Sequence, residues 1–135
     1  MNSKQRELCK KLVKMESSQA ANFLMEIYPI NSYGYGEVFV LLPHRSWKRR
    51  EQKMLARYYF KKLPFSSALV YESFASFMSA RLLLFCVSER LPMSGKDVDL
   101  LSYYLVPVLK KFYSGDRDKI LIEDFVTSLN LHVSG

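Results

Sequence analysis

Eight lysines and arginines crowd into the eighteen residues from Arg45 to Lys62, and a single acid, Glu51, stands among them. Cationic side chains at this density do one kind of chemistry well. They hold anions, through charge and through charge-assisted hydrogen bonds. The block carries +7, the net charge of the whole chain, because the other residues hold twelve bases and twelve acids. Diffuse basicity would bear on solubility alone, whereas a concentrated block sets up a local field and points to an anionic partner.

The spacing arranges this charge. On a helical wheel at ~100° per residue, Arg45, Arg49, Lys53, Arg57 and Lys61 form one continuous row, with Arg50 beside it. Trp47, Met54, Leu55, Tyr58 and Tyr59 gather on the other side, together with Glu51. Each like-charged pair four residues apart costs a helix ~0.2–0.5 kcal/mol, and the row contains four such pairs. Successive members drift by ~40°, so the row winds around the helix. A phosphate backbone crossing obliquely, or an acidic partner helix, would suit that curvature. Nucleic acid ranks slightly ahead of an acidic protein surface. Four phosphates neutralised on duplex DNA would give a salt slope of about −3.6.

The same block also fits a solvated face neutralised by acids from other elements. Glu37, Glu72, Asp97, Asp99, Asp116 and Asp118 are available for that role. Nuclear import would need only an exposed Lys48-Arg49-Arg50, a short and weakly specific signal.

Four aromatic residues could add stacking or an interface anchor. Tyr33 and Tyr35 flank Gly34 beside the basic segment, where exposed rings could stack on bases. Trp47 opens the segment, and Phe60 falls on its basic side. The competing reading places such rings in the core, and for Tyr33, Tyr35 and Trp47 that reading is the stronger one.

Other chemistries fail on spacing. His44 and His132 have no Cys, Asp or Glu at metal-ligand distance in sequence, so no metal site is expected. Asp116-Arg117-Asp118 begins like a calcium loop, but the position that needs Gly is Leu121 and the twelfth is Thr127. Gly34-Tyr35-Gly36 lacks the third glycine of a dinucleotide loop. No constellation of carboxylates or nucleophiles marks general acid–base or covalent catalysis. The chain therefore reads as non-enzymatic, with no cofactor and no small-molecule substrate.

The elements that must position the basic row are helical nearly throughout. Apolar residues recur at three and four spacing over 3–15, from Ser17 as a cap to Pro29, and again at Leu101, Tyr104, Leu105, Val108 and Phe112. Ser66 is read as the cap of one long helix reaching about Arg90, and Ser94 with Asp97 as the start of the next. Val38–Leu42 fits a short strand or a helix, and without a second strand to pair with it helix is preferred. The result is an all-α chain of six to seven helices in one domain spanning 1–135, arranged as an antiparallel bundle or a short helical-repeat solenoid. It would be a small subunit or a piece of a larger assembly. A structural adaptor that binds through apolar helical surfaces is the alternative function.

The cysteines Cys9 and Cys86 show no pairing pattern, so a reducing, intracellular compartment is expected. The apolar stretch 65–91 is interrupted by Glu72 and Arg81 and diluted by serines, which fits a buried helix better than a bilayer span.

Overall fold

Runs of good helix formers punctuated by serine and proline fold into eight α-helices, in a computed structural model that describes residues 1–134. They are α1 (Ser3–Lys14), α2 (Ser17–Ile27), α3 (Val38–Leu41), α4 (Arg49–Tyr59), α5 (Ala68–Ala75), α6 (Ala80–Ser88), α7 (Gly95–Phe112) and α8 (Asp116–Leu129). Short 3-10 turns follow α3, α4 and α8. The only strand pairing among the described residues joins two dipeptides in parallel, β1 (Met93–Ser94) and β2 (Val133–Ser134). The chain is therefore all-α, with helix and not strand over Val38–Leu41.

The helix count exceeds the expectation because the long helix is two. Ser67, not Ser66, caps α5 by accepting the Leu69 N–H, and Ser79 caps α6 by accepting the Leu82 N–H. Between them Ser76 donates its hydroxyl to the Ser73 carbonyl. Serines compete with the helical ladder for backbone partners, and six of them in the stretch 65–91 make a break cheap. The break also resolves a burial problem. A stretch apolar on all sides cannot hide as one surface helix, but two shorter helices on different neighbours can.

Ser17 likewise has a different task from the one expected. The N-cap of α2 is Glu16, and the Ser17 hydroxyl accepts the backbone N–H of Lys48 instead. The start of α2 is thereby tied to the start of α4. At the N-terminus, Asn2 and Gln5 form a reciprocal capping box. Ser94 caps α7 by accepting the Asp97 N–H, as the sequence predicts.

The helices alternate in their partners. α1 packs on α3, α3 on α5 and α5 on α7, while α2 packs on α4, α4 on α6 and α6 on α8, and the two series meet where α5 packs on α6 and α7 on α8. α3 is the short middle of the first series, and its Val38, Phe39 and Leu41 are buried. Phe39 lies edge-on to Tyr59, Phe65 and Phe74 at centroid distances of 5.4, 5.6 and 5.9 Å. Phe60 meets Phe74 at 4.9 Å. Edge-to-face pairs of this kind add about 0.5–1.5 kcal/mol each beyond area burial. This aromatic cluster fixes α4 against the rest of the fold. No helix among the described residues is long and apolar enough to cross a membrane.

Candidate anion-binding face

The basic block does not form one helix from end to end. Arg45 is extended (φ −151°, ψ 160°), and α4 starts only at Arg49. The row therefore loses its first member. The half-buried Arg45 guanidinium donates to the carbonyls of Leu12 at 2.6 Å and Met15 at 2.9 Å, and lies 4.7 Å from the Trp47 ring. It satisfies carbonyls at the end of α1, a structural use that wheel geometry could not reveal.

Burial sets the inner face of α4 through Glu51, Leu55, Ala56 and Tyr59. The Tyr59 hydroxyl donates to the Tyr28 carbonyl at 2.9 Å, and its ring stacks parallel to Tyr35 at 6.3 Å. Burial pushes ionisation of Tyr59 well above the ordinary phenol range. Trp47, also buried, donates its indole N–H to the Leu42 carbonyl at 2.9 Å, and Gln52 donates to the Trp47 carbonyl at 2.8 Å. Glu51 is only 3% exposed and occupies the first turn of α4, where the helix dipole favours a carboxylate.

The outer face carries Arg49 and Arg50, both exposed, then Lys53, Arg57 and, in the following 3-10 turn, Lys61. Arg57 forms a two-pronged ion pair with Glu89, the C-cap of α6, at 2.9 and 2.6 Å. Hydrogen bonding from Arg57 holds the Glu89 carboxyl below the usual range, and the same bond raises the Arg57 guanidinium. The other two salt bridges among the described residues are Lys10–Glu7 and Lys111–Glu72. Arg49, Arg50, Lys53 and Lys61 thus meet no acid within salt-bridge distance among the described residues. Of the acids expected to neutralise the block, Glu72 serves Lys111 and Glu37 accepts from Gln5.

Lys53 and Arg57 lie over the ring of Phe85 on α6, at 5.0 and 6.0 Å, and Phe85 is 49% exposed. On the opposite flank, towards α2, Met25, Met54 and Tyr58 floor a groove of about 460 Å³ lined also by Arg50, Lys53, Arg57 and Lys61. Lys61 stands 5.4 Å from the Tyr58 ring.

The proposed aromatic anchors separate by burial. Tyr33 is fully exposed, contrary to the core position expected for it, and Tyr35 is half-buried against Tyr59 and Phe39. Phe60 and Trp47 are core residues: Trp47 lies on the apolar side where the wheel puts it, whereas the 3-10 turn after α4 carries Phe60 inward from the basic side. Phe85, Met25, Met54 and Tyr58 were not singled out from sequence as part of this surface. A regular helical wheel already places Met54 and Tyr58 off the charged row, but their neighbours on α2 and α6 arrive only through tertiary packing.

Cys9 and Cys86 are both free thiols, and burial pushes their ionisation up. No group of three His, Cys, Asp or Glu side chains among the described residues could hold a metal ion. In comparisons with known proteins, no family model, no curated protein and no solved structure matches the chain.

Proposed function

We propose that the chain is a non-enzymatic interaction domain that binds an anionic macromolecule on the outer face of α4. One observation carries this reading. Four of the eight bases in the block, Arg49, Arg50, Lys53 and Lys61, stand on one side of the molecule with no acid partner among the described residues. Surface charges left like-signed and unpaired repel one another, so a face kept this way is stabilised by what it binds. The alternation of helix partners favours a short helical-repeat solenoid over a closed bundle. In a solenoid each helix packs on its counterpart in the next repeat, and the outer surface of one layer is a natural docking surface.

Charge alone ranks nucleic acid slightly ahead of an acidic protein, since phosphate contacts by Lys and Arg need no particular surface shape. The test is a titration of labelled single-stranded oligonucleotide and of labelled poly-glutamate at two salt concentrations. Wild type is compared with Arg49→Glu/Lys53→Glu/Lys61→Glu, which leaves the Arg57–Glu89 pair in place. Wild type is expected to bind one probe in a salt-weakened manner and the variant to bind it at least about tenfold more weakly. Equal affinities for the two proteins would leave the adaptor reading, in which the basic helix is a solvated face.

A further inference from the structure

The charge of α4 does not account for the groove beside it. Met25 and Met54 are only partly buried, and with Tyr58 they form an apolar floor between α2 and α4. Tyr58 accepts the Ile30 N–H at 3.0 Å, which fixes the ring in the floor. Arg50, Lys53 and Lys61 stand along the same groove with no acid partner among the described residues.

We propose that this groove seats an acidic amphipathic helix of a partner protein, with the apolar stripe on Met25, Met54 and Tyr58 and the flanking carboxylates on Arg50, Lys53 and Lys61. The inference rests on the reading of α4 as an anion-binding face and names the class of partner. Two requirements select that class. The rim needs negative charge, and the floor needs aliphatic or aromatic side chains. A phosphodiester strand meets the first and not the second. Its bases would seek an aromatic platform, and the one ring in the floor already has the Lys61 ammonium 5.4 Å from its centroid. Phe85 is the exposed ring near the row, but it does not line the groove and already has Lys53 and Arg57 over it. An amphipathic helix meets both requirements, presenting apolar anchors at i, i+3, i+4 and i+7 with acids alongside. Methionines suit such a floor because their flexible, polarisable chains adapt to the side chains they receive.

The experiment uses the full chain and three labelled probes. The first is a helical peptide with leucines at i, i+3, i+4 and i+7 and glutamates elsewhere. The second is its scrambled isomer, and the third a single-stranded oligonucleotide of the same charge. Wild type is expected to bind the patterned peptide about tenfold more tightly than the scrambled one. Met25→Gln/Met54→Gln should remove that preference and keep the scrambled-peptide affinity. Equal binding of patterned and scrambled peptides by wild type overturns the inference whatever the double variant does. Tighter binding of the oligonucleotide, weakened by Arg49→Glu/Lys53→Glu/Lys61→Glu, overturns it too while leaving the anion-binding reading intact. Binding of every probe that ignores the triple reversal removes both.

Discussion

α4 and α8 belong to the same series of packed helices, and both are densely charged, yet they arrange that charge in opposite ways. α8 opens with Asp116 and Asp118 in its first turn, where the helix dipole favours them. Its Lys119 lies three residues after Asp116 and four before Glu123, so neighbours on the surface attract. α4 opens with Arg49 and Arg50 at the end where cations are disfavoured. Within it, Arg49–Lys53 and Lys53–Arg57 are repulsive neighbours, each costing ~0.2–0.5 kcal/mol. The inner faces do not differ in kind. Leu55, Ala56 and Tyr59 of α4 are buried as Ile122, Phe125 and Leu129 of α8 are. A helix shaped only by its own stability looks like α8. The outer face of α4 breaks the local rules while its inner face keeps them, and the proposed anion-binding role rests on that contrast.

The largest effects test the shared inner faces. Tyr59→Ala and Phe125→Ala should each lower unfolding free energy by about 3–5 kcal/mol in urea melts. A much smaller loss at Tyr59 would mean that α4 is loosely held and its face not preorganised.

Alkaline unfolding comes next. Tyr59 in α4 and Tyr113 just before α8 are both buried with hydroxyls bonded to carbonyls, Tyr59 to Tyr28 and Tyr113 to Met78 at 2.7 Å. Burial raises the ionisation of both, and raises that of Tyr71 to about 12. A raised folded-state value means the stability is whole below pH 10.0, where the unfolded phenol titrates, and is lost as pH climbs through the folded value. Each such tyrosine should steepen the fall above that pH by about 1.4 kcal/mol per pH unit. Tyr71→Phe should flatten the alkaline limb of a pH–stability curve, and an unchanged slope would contradict its buried, protonated state.

The smallest effects separate the outer faces by sign. Arg50→Glu should stabilise the free protein by about 0.3–1 kcal/mol, because it puts an acid at the start of α4. Asp116→Lys should destabilise it by a similar amount at the start of α8. Thermal melts at low salt would resolve the two signs. Shifts in the same direction would erase the distinction between the helices.

The sequence made much of this comparison legible. The charge density of 45–62 and the all-helical class follow from composition and periodicity, which are local properties, while the helix at Val38–Leu41 followed only from the lack of a strand to pair with it. The departures have non-local causes. Arg45 left the row because the end of α1 offered carbonyls 30 or more residues away in sequence. Ser17 gave up its cap to bind Lys48, and the long apolar run divided at Ser76–Ser79 so that its halves could join different neighbours. Glu89, which pairs with Arg57, lies 32 residues from it, a distance no wheel can bridge. Phe85 and Met25 reached the candidate surface for the same reason. Residue types along α4 could be read from its own spacing, but the groove beside it required α2 to be in place.

The most direct measurement is the affinity of two charge-reversed proteins for whichever polyanionic probe the wild type binds more tightly, at one low salt concentration. Arg49→Glu/Lys53→Glu/Lys61→Glu alters α4 and the turn after it, and Arg117→Glu/Lys119→Glu alters α8. The account predicts at least about a tenfold loss in the first protein and a loss of less than about threefold in the second, with both still folded by circular dichroism. Equal losses would show that net charge alone governs binding, and would contradict a dedicated face on α4.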